Sequence, residues 1–392
     1  MVNRRIWCVI VAAVVVYAAP HHACGQTGPK VAPRPVRGDA ERLDWVATLR
    51  AAYSQPPADW PVPHVDPGVD WRELGRLPPV AHAADNPHSP AKEQLGKALF
   101  FEPRLSASGE MACASCHDPD LAWADGRTVS FGHLRKPLAR NAPTIRNVAF
   151  RPALFWDGRA PSIEAQVEAV LLNPAEMHVT REHVEKVLAE SATYRDLFAQ
   201  AFGDPEVTFD RTAQALACFQ RTIVGGHSRF DRFMAGEQTA LTDDELIGLD
   251  LFRREARCLN CHHGPLLADG KFHDLGLSYY GRSLEDLGRF EVTHEAADVG
   301  RFRTPSLRDV TRTRPLMHNG LFELSGVLAM YNVGMVAIKR QAHQQDDPLF
   351  PVKSPLLKPL GLNRQDLADL EAFLNALEEP RRRVRPPPAA QR

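Results

Sequence analysis

Downstream of residue 90 the apolar positions recur at helical spacing in several short segments separated by long polar or Pro/Gly-rich stretches. Glu93-Gln-Leu-Gly-Lys-Ala-Leu-Phe-Phe101 reads as a short helix. Ser162 is placed to cap a helix carrying Ile163, Val167, Val170 and Leu171 on one face. Asp210 is placed to cap a helix over 211–223. Thr242 and Glu245 have the spacing of a capping box, and their helix runs to about Arg253. Asn363 opens a last helix with Leu367, Leu370, Phe373, Leu374 and Leu377 on one face, stopped by Pro380. No convincing series of alternating strand positions occurs, so the expected class is mainly α with long loops.

The two ends follow a different pattern. Residues 27 to about 60 are rich in Pro, Ala and Arg without periodicity, and read as a tether; 61–90 hold several prolines and are expected to wrap the surface. Val384-Arg-Pro-Pro-Pro388 reads as polyproline-like, within a disordered tail over 380–392. At the N-terminus, Arg4 and Arg5 precede an apolar run, Ile6 to Ala19, that is shorter than the roughly 20 residues of a membrane span. A cleaved export signal over 1–26 and a periplasmic location are expected. A membrane anchor and a lipoprotein attached at Cys24 are the alternatives.

A chain of 392 residues is about twice the length of a domain of roughly 100–200 residues, which predicts two domains. An apolar content of 44% predicts packed cores, and a net charge of -1 leaves no basic excess for nucleic acid.

Of the seven cysteines, Cys8 and Cys24 fall in the signal region. Four others form Cys113-Ala-Ser-Cys116-His117 and Cys258-Leu-Asn-Cys261-His262. Cys-x-x-Cys-His places two thiols where they add to haem vinyl groups and a histidine where it meets the iron. Zinc is the rival, but paired zinc motifs stand roughly 15–20 residues apart, and these two are much farther apart than that. Two covalent c-type haems are therefore expected, bound through Cys113, Cys116 and His117 and through Cys258, Cys261 and His262. Cys218, in an apolar helical stretch, reads as a buried, inert thiol. Spacing does not assign the ligand on the other side of each iron, which decides between electron transfer and peroxide binding.

From Leu95 to Leu377 the chain resembles the bacterial dihaem cytochrome c peroxidase family, including its MauG branch. The resemblance is carried in order by Leu95-Gly-Lys-Ala-Leu-Phe-Phe-Glu-Pro-Arg-Leu-Ser106, Cys113-Ala-Ser-Cys-His-Asp-Pro119, Arg140-Asn-Ala-Pro-Thr144, Phe155-Trp-Asp-Gly-Arg-Ala160, Phe302-Arg-Thr-Pro-Ser-Leu-Arg308 and Pro315-Leu-Met-His-Asn-Gly320. It implies two cytochrome c-like haem domains packed around a shared interface, with a peroxidatic domain over 91–235 and an electron-transfer domain over 236–379. His117 becomes the proximal ligand of the peroxidatic haem, and His133 a distal ligand in the resting enzyme. Gln166 and Glu176 form the distal pair, Glu176 serving as acid and base. Trp156 lies between the haems as a relay. Asn141, Thr313 and Pro315 match a calcium site. His262 becomes the proximal ligand of the second haem. The segment Val327-Leu-Ala-Met-Tyr-Asn332 resembles the MauG version, making Tyr331 the sixth ligand, with Met330 and Met335 as alternatives.

The implied activity is reduction of hydrogen peroxide to water with electrons from a small donor protein, a cytochrome c or a cupredoxin; a homodimer is compatible with it. One alternative is a MauG-like oxidase of side chains in a partner protein. Against it, His133 is present, and Ala256 stands where MauG carries a tryptophan six residues before the second haem histidine. The other is a dihaem electron carrier without catalysis.

Overall fold

Gly96 and Gly248 explain how two pairs of helices come close enough to found two hydrophobic cores. A computed structural model describes residues 31–387; the expected export signal and the last residues of the tail lie outside them. Eleven α-helices occur among the described residues: α1 (Asp39–Tyr53), α2 (Pro90–Phe100), α3 (Ile163–Leu172), α4 (Arg181–Ala189), α5 (Ala192–Phe202), α6 (Phe209–Thr222), α7 (Arg229–Met234), α8 (Asp243–Arg253), α9 (Phe290–Thr293), α10 (Leu324–Asn332) and α11 (Arg364–Ala376). A single antiparallel pair, β1 (Phe272–Asp274) with β2 (Arg301–Arg303), sets Phe272 against Arg303 and Asp274 against Arg301.

In the first core α2 crosses α6, burying Leu95, Leu99 and Phe100 against Leu216 and Phe219. A side chain on Gly96 would place its Cβ 1.9 Å from the carbonyl oxygen of Ala215, so only glycine permits the crossing. In the second core α8 crosses α11 in the same manner. A Cβ on Gly248 would stand 1.9 Å from the Asp369 carbonyl oxygen. Phe252, Leu370, Phe373 and Leu374 fill the space around this crossing. Each such side chain contributes about 1.5–3 kcal/mol on burial. In both halves a Cys-x-x-Cys-His turn follows the first helix of the pair.

The expected helix starts hold with one exception. The side chains of Ser162, Thr242 and Asn363 accept hydrogen bonds from Ala165, Glu245 and Asp366 N–H, as caps do. Asp210 does not cap α6. Thr208 does, accepting from Arg211 N–H, and Asp210 becomes a first-turn acid where the helix dipole favours one.

The N-terminal stretch differs from the expected tether. It contains α1, whose Val46, Leu49 and Tyr53 are buried in the second core while Leu43 is exposed. Three anchoring residues among alanines and charges make a weak periodic signal. Tertiary contacts add the rest: Arg42 pairs with Asp369 and Asp244, and the Tyr53 hydroxyl donates to Asp250 at 2.9 Å. The Pro-rich segment after it does wrap the core, held by buried arginines. Arg253 bonds the Pro61 carbonyl and Glu73, and Arg308 bonds the Gly75 carbonyl and Asp231. At the other end Val384 packs against the first core, so the tail is anchored at that residue. No helix among the described residues is long and apolar enough to cross a membrane.

Candidate haem sites

The two Cys-x-x-Cys-His motifs fold into the same local structure. Cys113–Ser115 and Cys258–Asn260 are single 3-10 turns. In the first, the N–H groups of Cys116 and His117 both donate to the Cys113 carbonyl, at 3.2 and 3.0 Å. In the second, Cys261 and His262 donate to the Cys258 carbonyl at 3.2 and 2.8 Å. Each turn gathers two thiols and an imidazole.

Both imidazoles are oriented by a backbone acceptor. His117 Nδ1–H donates to the Trp123 carbonyl at 3.1 Å, and His262 Nδ1–H to the Leu267 carbonyl at 3.0 Å. A carbonyl only accepts, so the proton sits on Nδ1 and Nε2 is left with its lone pair for a metal. Burial lowers both pKa values and keeps the rings neutral, as iron ligation requires. The four thiols form no disulfide. Burial pushes Cys113, Cys258 and Cys261 up to about 12 and Cys116 to about 11. Without a bound group they are protonated thiols. Among the described residues, the tight metal-type grouping is Cys261 with Asp269 and His273. It omits Cys258 and His262, and its Asp269–His273 pair is already bonded at 2.8 Å.

Each turn opens on its own cavity. The first, about 990 Å3, is lined by Cys113, Cys116 and His117 and by apolar residues including Phe100, Val148, Val167 and Leu171. Gln166 of α3 and Glu176 line it too. A narrower second cavity is lined by Cys258, Cys261 and His262 with Leu275, Leu277, Leu324, Val327 and Leu370. Thiol pairs, neutral imidazoles and apolar walls fit covalently attached haem in both places.

Glu176 accepts from Asn173 Nδ2 at 2.8 Å, and burial raises its pKa above the usual carboxylate value. Trp156 lines both cavities, as do Asn141, Arg151 and His318. The Trp156 indole N–H donates to the Asn141 carbonyl at 2.9 Å, and its ring centre lies 6.4 Å from that of His318. His318 stacks on Phe302 at 3.6 Å, and burial pushes it down to about 4, so it is neutral. Thr313 and Pro315 line the second cavity, as Asn141 does. The Asn141 amide N–H donates to the Arg127 carbonyl, which leaves its side-chain oxygen for another partner.

Tyr331 also lines the second cavity, whereas Met330 and Met335 do not. The cause is helical spacing: Leu324, Val327, Leu328 and Tyr331 share one face of α10, and Met330 falls off it. Burial raises the Tyr331 phenol well above its ordinary range, and its hydroxyl meets no partner among the described residues.

His133 is the expected site residue that lines neither cavity. Its neighbours Phe131 and Gly132 line the first one, while its ring meets His178 edge-on at 4.6 Å. The loop is held there by His133 N–H donating to the Ala175 carbonyl at 3.0 Å. A Cβ on Gly132 would stand 1.9 Å from that carbonyl oxygen, so this close approach needs glycine. Sequence reading missed Arg151, Arg303 and His318. For Arg151 the signal was there: a lone charge in the apolar run Val148-Ala-Phe-Arg-Pro-Ala-Leu-Phe155.

Residues 90–239 match the family described as di-haem cytochrome c peroxidase. The chain is 40% identical over 303 residues to the methylamine utilization protein MauG of Methylorubrum extorquens, covering 76% of this chain and 81% of that protein. It is 40% identical over 238 residues to the cytochrome c551 peroxidase of Nitrosomonas europaea, covering 60% of this chain and 71% of that one. The crystal structure of a MauG-like protein associated with microbial copper homeostasis superposes with a TM-score of 0.70 at 33% identity, covering 79% of this chain and 95% of the other. The chain belongs to the di-haem cytochrome c peroxidase family, whose members include MauG, and is an oxidoreductase of the cytochrome c peroxidase type.

Proposed function

We propose that the protein reduces hydrogen peroxide to water in the periplasm, with electrons from a small redox protein. The observation that carries this reading is the shared wall. Glu176 and Gln166 line the cavity of the first Cys-x-x-Cys-His turn, and Trp156 lines both that cavity and the second. When bound, haem supplies an iron that takes peroxide in the first cavity and an electron store in the second. The polypeptide supplies the rest.

Two electrons and two protons convert one peroxide into two waters. Glu176 would take a proton from one peroxide oxygen and return it to the other, which leaves as water. Its raised pKa suits that exchange, because a carboxyl of ordinary acidity would hold the returned proton less readily. Gln166 orients peroxide through its amide. Trp156, fixed by its bond to Asn141, spans the wall through which electrons pass. Tyr331, which lines the second cavity from α10, would be the residue that holds the second haem's iron from that helix. Asn141, Thr313 and Pro315, which line the second cavity, would hold a calcium ion through oxygen atoms. His133 leaves the first cavity open to peroxide in this arrangement; binding iron would require its loop to leave Ala175. The two helix crossings, each with its own haem motif between the paired helices, support a division into two haem domains over 91–235 and 236–379.

The MauG-like alternative lacks a tryptophan route at Ala256, a buried residue of the second cavity. The test is Glu176→Gln in the purified two-haem protein, with peroxide consumption followed against a reduced donor. Turnover should fall by roughly 100-fold or more with haem spectra unchanged. Unchanged turnover would exclude Glu176 as the acid–base group.

A further inference from the structure

Buried arginines in this protein normally face a carboxylate. Arg221 pairs with Glu164, Arg253 with Glu73 and Arg308 with Asp231. Arg303 is equally buried, at 3% exposed, yet makes no ion pair among the described residues. Its Nε donates to the Phe155 carbonyl at 3.1 Å and its Nη1 to the Thr304 carbonyl at 3.2 Å. Arg151 is similar. Its Nη2 donates to the Arg146 carbonyl at 3.2 Å, and its buried Nε has no partner. It too makes no ion pair among the described residues. Arg303 lines the second cavity, and Arg151 lines both. Burial pushes Arg151 down to about 9 and Arg303 to about 10, and the charge of Arg303 adds to the effect on Arg151. An unpaired buried charge costs several kcal/mol, so two at one wall call for an anion that the chain does not supply.

We propose that Arg151 and Arg303 are the propionate-binding residues of this protein, Arg303 holding a carboxylate of the haem in the second cavity and Arg151 standing between carboxylates of both haems. The inference rests on the two-haem reading. It has a consequence beyond anchoring: one guanidinium facing both haems ties their reduction potentials to a single charge. A guanidinium with most of its N–H groups unused offers the planar fork that carboxylates fit.

The test uses the mature two-haem protein and equilibrium redox titration of both haems. Arg151→Gln removes a positive charge beside both, disfavouring the reduced form. Each oxidised-to-reduced ratio should rise about tenfold at fixed potential, a fall of about 59 mV for a one-electron couple. Arg303→Gln should lower the second haem by a comparable factor and the first far less. Arg151→Lys, which retains the charge and is the variant that serves if the glutamine form does not fold, should keep both potentials while shifting the propionate bending bands in resonance Raman spectra. Potentials unchanged in Arg151→Gln, or propionate bands unchanged in Arg151→Lys, overturn the proposal. Absence of haem from the mature wild-type protein by mass would instead overturn the two-haem reading.

Discussion

Replacing Gly96 by alanine sets two effects of known size against each other. In a free helix the change is favourable, because alanine is the better helix former by about 1 kcal/mol. At this crossing the added Cβ would stand 1.9 Å from the Ala215 carbonyl oxygen, 2.6 Å from its carbon and 2.9 Å from Phe219 Cβ. The first two are backbone atoms of α6, so no side-chain rotation relieves them, and the helices must separate. Overpacking a core costs about 1–3 kcal/mol, and a backbone collision belongs at the upper end. The net loss is then about 1–2 kcal/mol. Gly326 in α10 is the internal control, since nothing lies within 4 Å of a Cβ built there. Gly326→Ala should be neutral or stabilising by up to ~1 kcal/mol. Denaturant unfolding of both variants, followed by far-UV circular dichroism with haem stoichiometry confirmed, gives the comparison. Gly96→Ala as stable as wild type, or ranked above Gly326→Ala, refutes the argument that the glycine exists to let α2 meet α6.

Asp274 is buried, its Oδ2 has no partner, and burial raises its carboxyl to about 6 from 3.8. The folded state therefore holds this proton over a range where the unfolded state has lost it, and stability falls as pH rises from about 4 to 6. Asp274→Asn should raise stability at pH 7 by about 3 kcal/mol and give no advantage below pH 4; a gain independent of pH in chemical denaturation rejects the assignment. Tyr331→Met should raise the reduction potential of the second haem, because thioether ligation favours the reduced iron; potential and optical spectrum unchanged from wild type place the ligand elsewhere. Treatment with a calcium chelator should lower peroxide turnover, with recovery on adding calcium but not magnesium, which accepts the irregular oxygen set poorly; turnover indifferent to chelation removes calcium from Asn141, Thr313 and Pro315.

The attachment chemistry was legible in the chain because it is local. Cys-x-x-Cys-His is closed within one turn by bonds between neighbours, so its five residues imply the geometry that both copies adopt. Helices α8 and α11 were legible for the same reason, since Thr242 with Glu245 and Asn363 with Asp366 cap within four residues. Helix α1 was not legible, because its stabilisation comes from partners some two hundred or more residues away, Asp250 and Asp369 among them. The family motifs pointed to Glu176, Gln166 and Trp156, yet only the packed chain sets Trp156 in both cavities and His133 in neither. It also sets Tyr331, and neither Met330 nor Met335, in the lining of the second cavity, through the face that α10 turns to it. What the amino-acid order determined was short-range: most of the helix caps and the two haem turns. Which charges lose their counter-ions was decided by tertiary structure, because desolvation at Arg151 and Arg303 depends on everything folded around them and on nothing adjacent in the chain.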